Sequence, residues 1–217
     1  MKILKLFILF TLVLPLTLGG CKDEFSLEDY VSVSRKNIYT ADYKGATVTA
    51  YFERREDPIL FDGIKCATYG FLTVKLPTKL TEGKYSFYFN GHTTDFVFDA
   101  VKSVLVAKIP CDTPPVDSFD ATVTIESERT DIKFTTIVPN GIIGESKALS
   151  SLYEHQKSYI DNLKNGDEFN AEIIIKVSVF KGEPYYYVAI AEKNGSFKAL
   201  LIDAYTAEVL AMRNVFN

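Results

Sequence analysis

The chain has 217 residues, 13% of them aromatic yet none tryptophan, and a formal charge of −4 at neutral pH. That balance offers no basic footprint for nucleic acid, and the wealth of Phe, Tyr, Val and Ile excludes a disordered composition. Two histidines and three cysteines make a zinc site of several Cys and His ligands unexpected. No metal and no cofactor are expected.

Residues 1–21 read MKILKLFILFTLVLPLTLGGC. Lys2 and Lys5 precede an apolar stretch over residues 6–18, interrupted by Thr11, Pro15 and Thr17. The stretch is shorter than the roughly 20 apolar residues that span a bilayer, and has the flanks of a secretory signal. Leu18-Gly19-Gly20-Cys21 resembles a lipobox, the signature of bacterial lipoprotein signal peptides. The resemblance implies diacylglycerol on the Cys21 sulfur, cleavage after Gly20, and acylation of the new N-terminus. Each buried methylene contributes about 0.8 kcal/mol, so two or three chains anchor stably where one does not. The expected location is the cell envelope, on the outer membrane, with its periplasmic and surface faces both open. Lys22-Asp23-Glu24 resembles the export signal of some surface-displayed Bacteroidetes lipoproteins; an ordinary polar tether over residues 21–26 is the alternative. Loss of Lys2 and Lys5 with residues 1–20 takes the formal charge from −4 to −6.

Cys66 and Cys111 remain, an even pair in an exported chain. A disulfide between them would close a loop of about 46 residues, worth roughly 4 kcal/mol in the chain-entropy model. Two buried thiols, or one exposed reactive thiol, are the other readings.

Between residues 27 and 138 the pattern predicts antiparallel β-structure. Residues 30–33, 46–52 and 70–76 alternate at period two. Asp57-Pro58, Asp62-Gly63 and Glu82-Gly83 read as turns, and Asn90-Gly91 as a hairpin turn joining residues 85–89 to 94–98. Residues 101–109 give another strand before Pro110, Pro114 and Pro115. Residues 121–125 and 132–138 read as a hairpin around Glu128-Arg129-Thr130. Seven or eight short strands at this spacing predict an immunoglobulin-like β-sandwich.

Residues 139–146 read as a linker, and the period then changes. Leu149, Leu152, Tyr153, Gln156, Ile160 and Leu163 form one helical stripe, stopped by Asn165-Gly166. Strands are predicted over 169–180, 184–191 and 197–202, with turns at Lys181-Gly182 and Asn194-Gly195. The expectation is an α+β domain over 147–217, one helix packed on a three-stranded meander. Tyr185-Tyr186-Tyr187-Val188-Ala189-Ile190, followed by Leu200-Leu201-Ile202-Asp203-Ala204-Tyr205-Thr206-Ala207-Glu208-Val209-Leu210, resembles the end of a PepSY domain. The resemblance covers residues 147–212, with Ala207 where the family usually has Gly. It implies an envelope protein with no catalytic residues, whose partners include proteases to be inhibited or chaperoned. A generic cystatin-like α+β unit is the alternative.

No catalytic constellation emerges. Glu154 and His155 are helix neighbours that point apart, with Asp161 further along. No Gly-x-Ser-x-Gly elbow is present, and a nucleophile pair of Cys66 or Cys111 with His92 explains the cysteines less simply than a disulfide. Asp203 and Thr206 read as turn-makers, and Glu53-Arg54-Arg55-Glu56-Asp57 as a solvated loop. Tyr185 and Tyr187 share one strand face and Tyr186 takes the other, which makes the three candidates for partner contact as well as for core. The expected function is non-enzymatic binding of a protein or peptide, possible partners being a protease or an assembly factor. The alternative is capture of a glycan or host ligand by the sandwich, which the lack of tryptophan weakens.

Overall fold

The computed structural model describes residues 25–60, 62–64, 67–77, 83–166 and 168–215. The expectations at Cys21, Cys66 and Lys22-Asp23-Glu24 fall outside these residues. A short 3-10 turn, Leu27–Tyr30, leads into β1 (Val31–Tyr43), β2 (Ala46–Arg55), β3 (Tyr69–Pro77), β4 (Tyr85–Phe89), β5 (His92–Asp95), β6 (Val97–Asp99), β7 (Val104–Pro110), β8 (Ser118–Ile125) and β9 (Glu128–Thr136). Helix α1 (Glu145–Leu163) follows, then β10 (Lys164–Asn165), β11 (Glu168–Phe169), β12 (Ala171–Phe180), β13 (Glu183–Glu192), β14 (Phe197–Asp203) and β15 (Val209–Val215).

The N-terminal strands do not split into the two sheets of a sandwich. β1, β2, β3 and β7 pair in that order. β5 and β6 act as one strand bent at Phe96, β6 pairing with β7 and β5 with β4. β4 pairs with β8, β8 with β9, and β9 returns to β1 through Tyr39↔Thr136 and Thr40↔Thr135. The result is a nearly closed barrel. Closure leaves few bare strand edges, which is its physical advantage over a sandwich. Alternation fills the inside: on β3, Leu72, Val74 and Leu76 are buried while Phe71, Thr73 and Lys75 are half-buried outside. Phe119 stacks on Phe134 at 4.7 Å, and Tyr39 meets Phe119 edge-on at 5.1 Å. The Asn90-Gly91 turn has positive φ at both residues, 48° and 81°, as a tight hairpin requires.

The C-terminal meander has four strands, β12 to β15, where three were expected. β12 also runs parallel to β1, with Val33↔Ile174, Ser34↔Ile175 and Arg35↔Lys176 opposed, so one sheet is continuous through both parts. Beyond Arg35 a bulge re-aims β1 into the barrel. Helix α1 covers one face of the meander. Its buried side chains Ala148, Leu149, Leu152 and Ile160 meet Ile173, Ile175, Val188, Ile190, Leu200 and Ile202, with Leu27, Tyr30 and Ile38 from the N-terminal side. Glu145 fixes the helix start to β1, accepting from Ser34 Oγ at 2.5 Å and lying 2.8 Å from Lys36 Nζ. The expected linker is therefore partly helix, and residues 143–145 are held to the sheet.

Parallel pairing puts the starts of β1 and β12 at the same end of the molecule. Phe25, Tyr30 and Phe169 cluster there, with ring centroids 5.2–5.8 Å apart.

Candidate partner-binding edge

Among the described residues, β15 is the last strand of the sheet and pairs only with β14. An edge strand leaves alternate N–H and C=O groups unpaired, a template for another extended chain. Its residues are exposed from Leu210 to Asn214, Met212 at 63% and Leu210 at 47%. Leu210 sits where the β14–β15 register shifts, a bulge, and Met212 lies opposite Leu200. Gln156 Nε2 reaches Met212 Sδ at 3.4 Å, so Met212 faces the α1 side. Gln156 itself leaves helical geometry, with φ −120° and ψ 20°.

The turn that launches β15 is built by Asp203 and Thr206, in the roles the sequence suggests. Asp203 Oδ1 accepts from the N–H groups of Tyr205 and Thr206 at 2.8 Å each, and those bonds hold its carboxyl below the usual aspartate range. The Ala207 N–H donates to the Asp203 carbonyl at 3.0 Å. Ala207 takes a left-handed φ of 67°, the conformation a glycine adopts cheaply. Its carbonyl accepts from Ser151 Oγ at 3.0 Å, tying the turn to α1.

The three tyrosines separate as strand alternation demands. Tyr186 is 3% exposed and donates to the Ile143 carbonyl at 2.7 Å; burial, then Glu145, pushes its hydroxyl up to about 12. Tyr185 and Tyr187 lie half-buried on the opposite face, opposite Ser178 and Lys176. Burial raises the Tyr187 hydroxyl and lowers the Lys176 ammonium, the latter further depressed by Arg35.

The outer face of the barrel next to Lys176 carries cations on aromatic rings. Arg35 and Lys75 lie 4.2 and 4.5 Å from the Tyr51 ring centroid, and Lys108 lies 3.7 Å from that of Phe71. Arg35 also binds Glu53 at 2.6 Å. Glu53 is buried here, so this part of the expected solvated loop is the end of β2.

A second feature escaped the sequence reading. Glu172, 1% exposed, accepts from the N–H groups of Asp62 and Gly63 at 2.9 and 3.4 Å, while its Oε2 has no partner among the described residues. Glu56, 5% exposed, is raised by burial and by the Glu172 charge. Its only sequence signal is an acidic residue heading the apolar run Ala171-Glu172-Ile173-Ile174-Ile175.

Cys111 is a buried free thiol whose Sγ donates to the Thr113 carbonyl at 3.1 Å, and burial raises its pKa. Its expected partner Cys66 is outside the described residues. His155 Nδ1 lies 2.9 Å from the Ser151 carbonyl, and His92 sits opposite Phe89 in the β4–β5 hairpin. Among the described residues, no group of three His, Cys, Asp or Glu side chains is gathered for a metal ion, and no helix is long and apolar enough to cross a membrane. Among the open clefts of the described residues, one of about 530 Å³ lies between Phe25–Glu28 and α1, and one of about 500 Å³ between Pro114–Asp117 and residues 138–145. No family model matches this chain, and neither a curated protein nor a solved structure matches it.

Proposed function

We propose that this chain is a non-enzymatic, lipid-anchored protein of the cell envelope that binds an extended segment of a partner protein along β15. The single observation that carries the reading is the seven-residue strand β15, unpaired on its outer side among the described residues, with exposed Leu210 on it and exposed Met212 beside α1. Strand addition supplies affinity through main-chain hydrogen bonds, and flanking side-chain positions supply selectivity. β15 has no proline and no lysine, two of the devices that blunt an edge; the bulge at Leu210 leaves residues 211–215 in regular register. The PepSY-like pattern of residues 147–212 supports a protease or an assembly factor as the partner.

Glycan or host-ligand capture by the barrel is the competing reading. Exposed Tyr69, Tyr88 and Phe98 favour it, but the Tyr51 and Phe71 faces are covered by cations. The test is a photo-crosslinking residue at position 212, compared with one at exposed Tyr88, in the full chain on cells. Adducts to one envelope protein at 212 and not at 88, lost when Arg213→Pro is added, support the edge. Adducts at 88 alone, or glycan binding indifferent to Arg213→Pro, refute it.

A further inference from the structure

We infer that the loop carrying Leu60 and Ile64 enters the bilayer that holds the lipid anchor, fixing how the protein stands on the membrane; this rests on the Cys21 lipidation reading. Leu60 is 51% and Ile64 62% exposed, two large apolar side chains flanking a turn that is firmly held. The hold is visible. The Glu172 carboxylate accepts from the Asp62 and Gly63 N–H groups, and Asp62 Oδ1 accepts from the Ile64 N–H at 2.9 Å. Gly63 has φ 75°, and a Cβ there would stand 2.6 Å from the Phe169 carbonyl oxygen. The turn is thus pressed against Phe169, whose ring lies 5.7 Å from that of Phe25.

Phe25 is four residues from Cys21. Four residues span at most about 14 Å, so acyl chains on Cys21 must enter the membrane close to this same end. Among the described residues, Leu60 and Ile64 are thus exposed apolar groups that the anchor brings toward the lipid surface. The neighbouring charge points to apolar partitioning and not to anionic headgroups, because Asp62, Glu168 and Asp161 share this end with Lys164. The opposite end carries Phe180 and Val101. Phe180 closes β12 nine residues from Ala171, about 30 Å along the strand. In this pose the far hairpins stay in water, while β15 runs toward the membrane end, Val215 standing level with Glu172 through Phe197 and Ala191.

The absence of tryptophan makes the test clean. Leu60→Trp, Ile64→Trp and, as a control, Val101→Trp each give the full-length lipidated chain one indole. Each is reconstituted into phosphatidylcholine vesicles containing brominated lipid, and Cys21 acylation is read by mass. Severalfold quenching at positions 60 and 64, with a blue-shifted emission unaffected by salt and none at 101, is the expected result. An acylated, vesicle-bound protein with unquenched indoles at 60 and 64, or with equal quenching at 101, overturns the inference and leaves the anchor standing. A chain without acyl mass on Cys21 that stays off the vesicles overturns both.

Discussion

Replacing Glu172 by Gln should stabilise the protein. Glu172 is 1% exposed, with Oε1 satisfied by two backbone N–H groups and Oε2 without a partner among the described residues. A buried acceptor left unmet costs about 1–3 kcal/mol, more when charged, and Glu56 adds a second buried carboxyl that feels its charge. Gln keeps the oxygen that holds the 62–64 turn and removes the charge that Glu56 feels. The expected gain at pH 8 is about 1–2 kcal/mol, or roughly 2–8 °C in Tm for a chain of this size. Glu172→Ala should do the reverse, because it strands the Gly63 N–H, leaves the Asp62 N–H only the Leu60 carbonyl, and opens a void, at about 2–4 kcal/mol. Thermal unfolding followed by far-ultraviolet circular dichroism decides it. A Gln variant less stable than wild type at pH 8 would refute the reasoning, since it would mean that the buried charge has a stabilising partner.

Glu56 sets a pH dependence of definite sign. Its carboxyl is raised above the ordinary value of 4.5 by burial and by Glu172, so the stability it contributes is complete below pH 4.5 and lost as pH rises through the raised value. Glu56→Gln should flatten that loss above pH 4.5, and parallel Tm curves for the two proteins would contradict it. Gly70→Ala places a Cβ 2.1 Å from the Cys111 carbonyl oxygen, so the β3–β7 pair must shift, costing about 1–3 kcal/mol in denaturant unfolding; an unchanged midpoint would show that the approach is looser. Tyr186→Phe removes the donor to the Ile143 carbonyl and should cost about 1–2 kcal/mol, with hydrogen exchange rising first at the start of α1.

Much of this fold was legible because burial alternates cleanly. β2, β3, β12, β13 and β14, the Asn90-Gly91 hairpin and the stripe of α1 follow from period and turn chemistry alone. The separation of Tyr186 from Tyr185 and Tyr187 follows for the same reason. β1 was read as four residues and runs for thirteen, because the bulge after Arg35 breaks the period at Lys36-Asn37. The β8–β9 turn lies at Glu126, φ 53°, two residues before the expected one. Barrel closure depends on β1 meeting β9 across nearly a hundred residues of sequence, which local pattern does not encode. β15 was missed because Val209-Leu210-Ala211-Met212-Arg213 mixes good helix formers without alternation; pairing with β14, not propensity, makes it a strand. The candidate edge was illegible for that reason.

The parallel pairing of β1 with β12 bears on whether the C-terminal part can stand alone. Its core includes Leu27 and Tyr30 from the N-terminal turn and Ile38 from β1. Full burial of such side chains is worth about 1.5–3 kcal/mol each, so a fragment of residues 139–217 forfeits about 5–9 kcal/mol. It also bares the edge of β12 from Ile173 to Lys176 and loses the Glu145 contacts to Ser34 and Lys36. A whole domain has only about 5–15 kcal/mol to lose. The fragment should therefore lack a cooperative melt and aggregate through the bared strand. A soluble fragment melting cooperatively near the Tm of the intact chain would show that α1 and the meander are a self-sufficient unit to which β1 is merely added. Failure to fold would make β1 a shared wall, through which the Phe25 end and the β15 edge belong to one stable body.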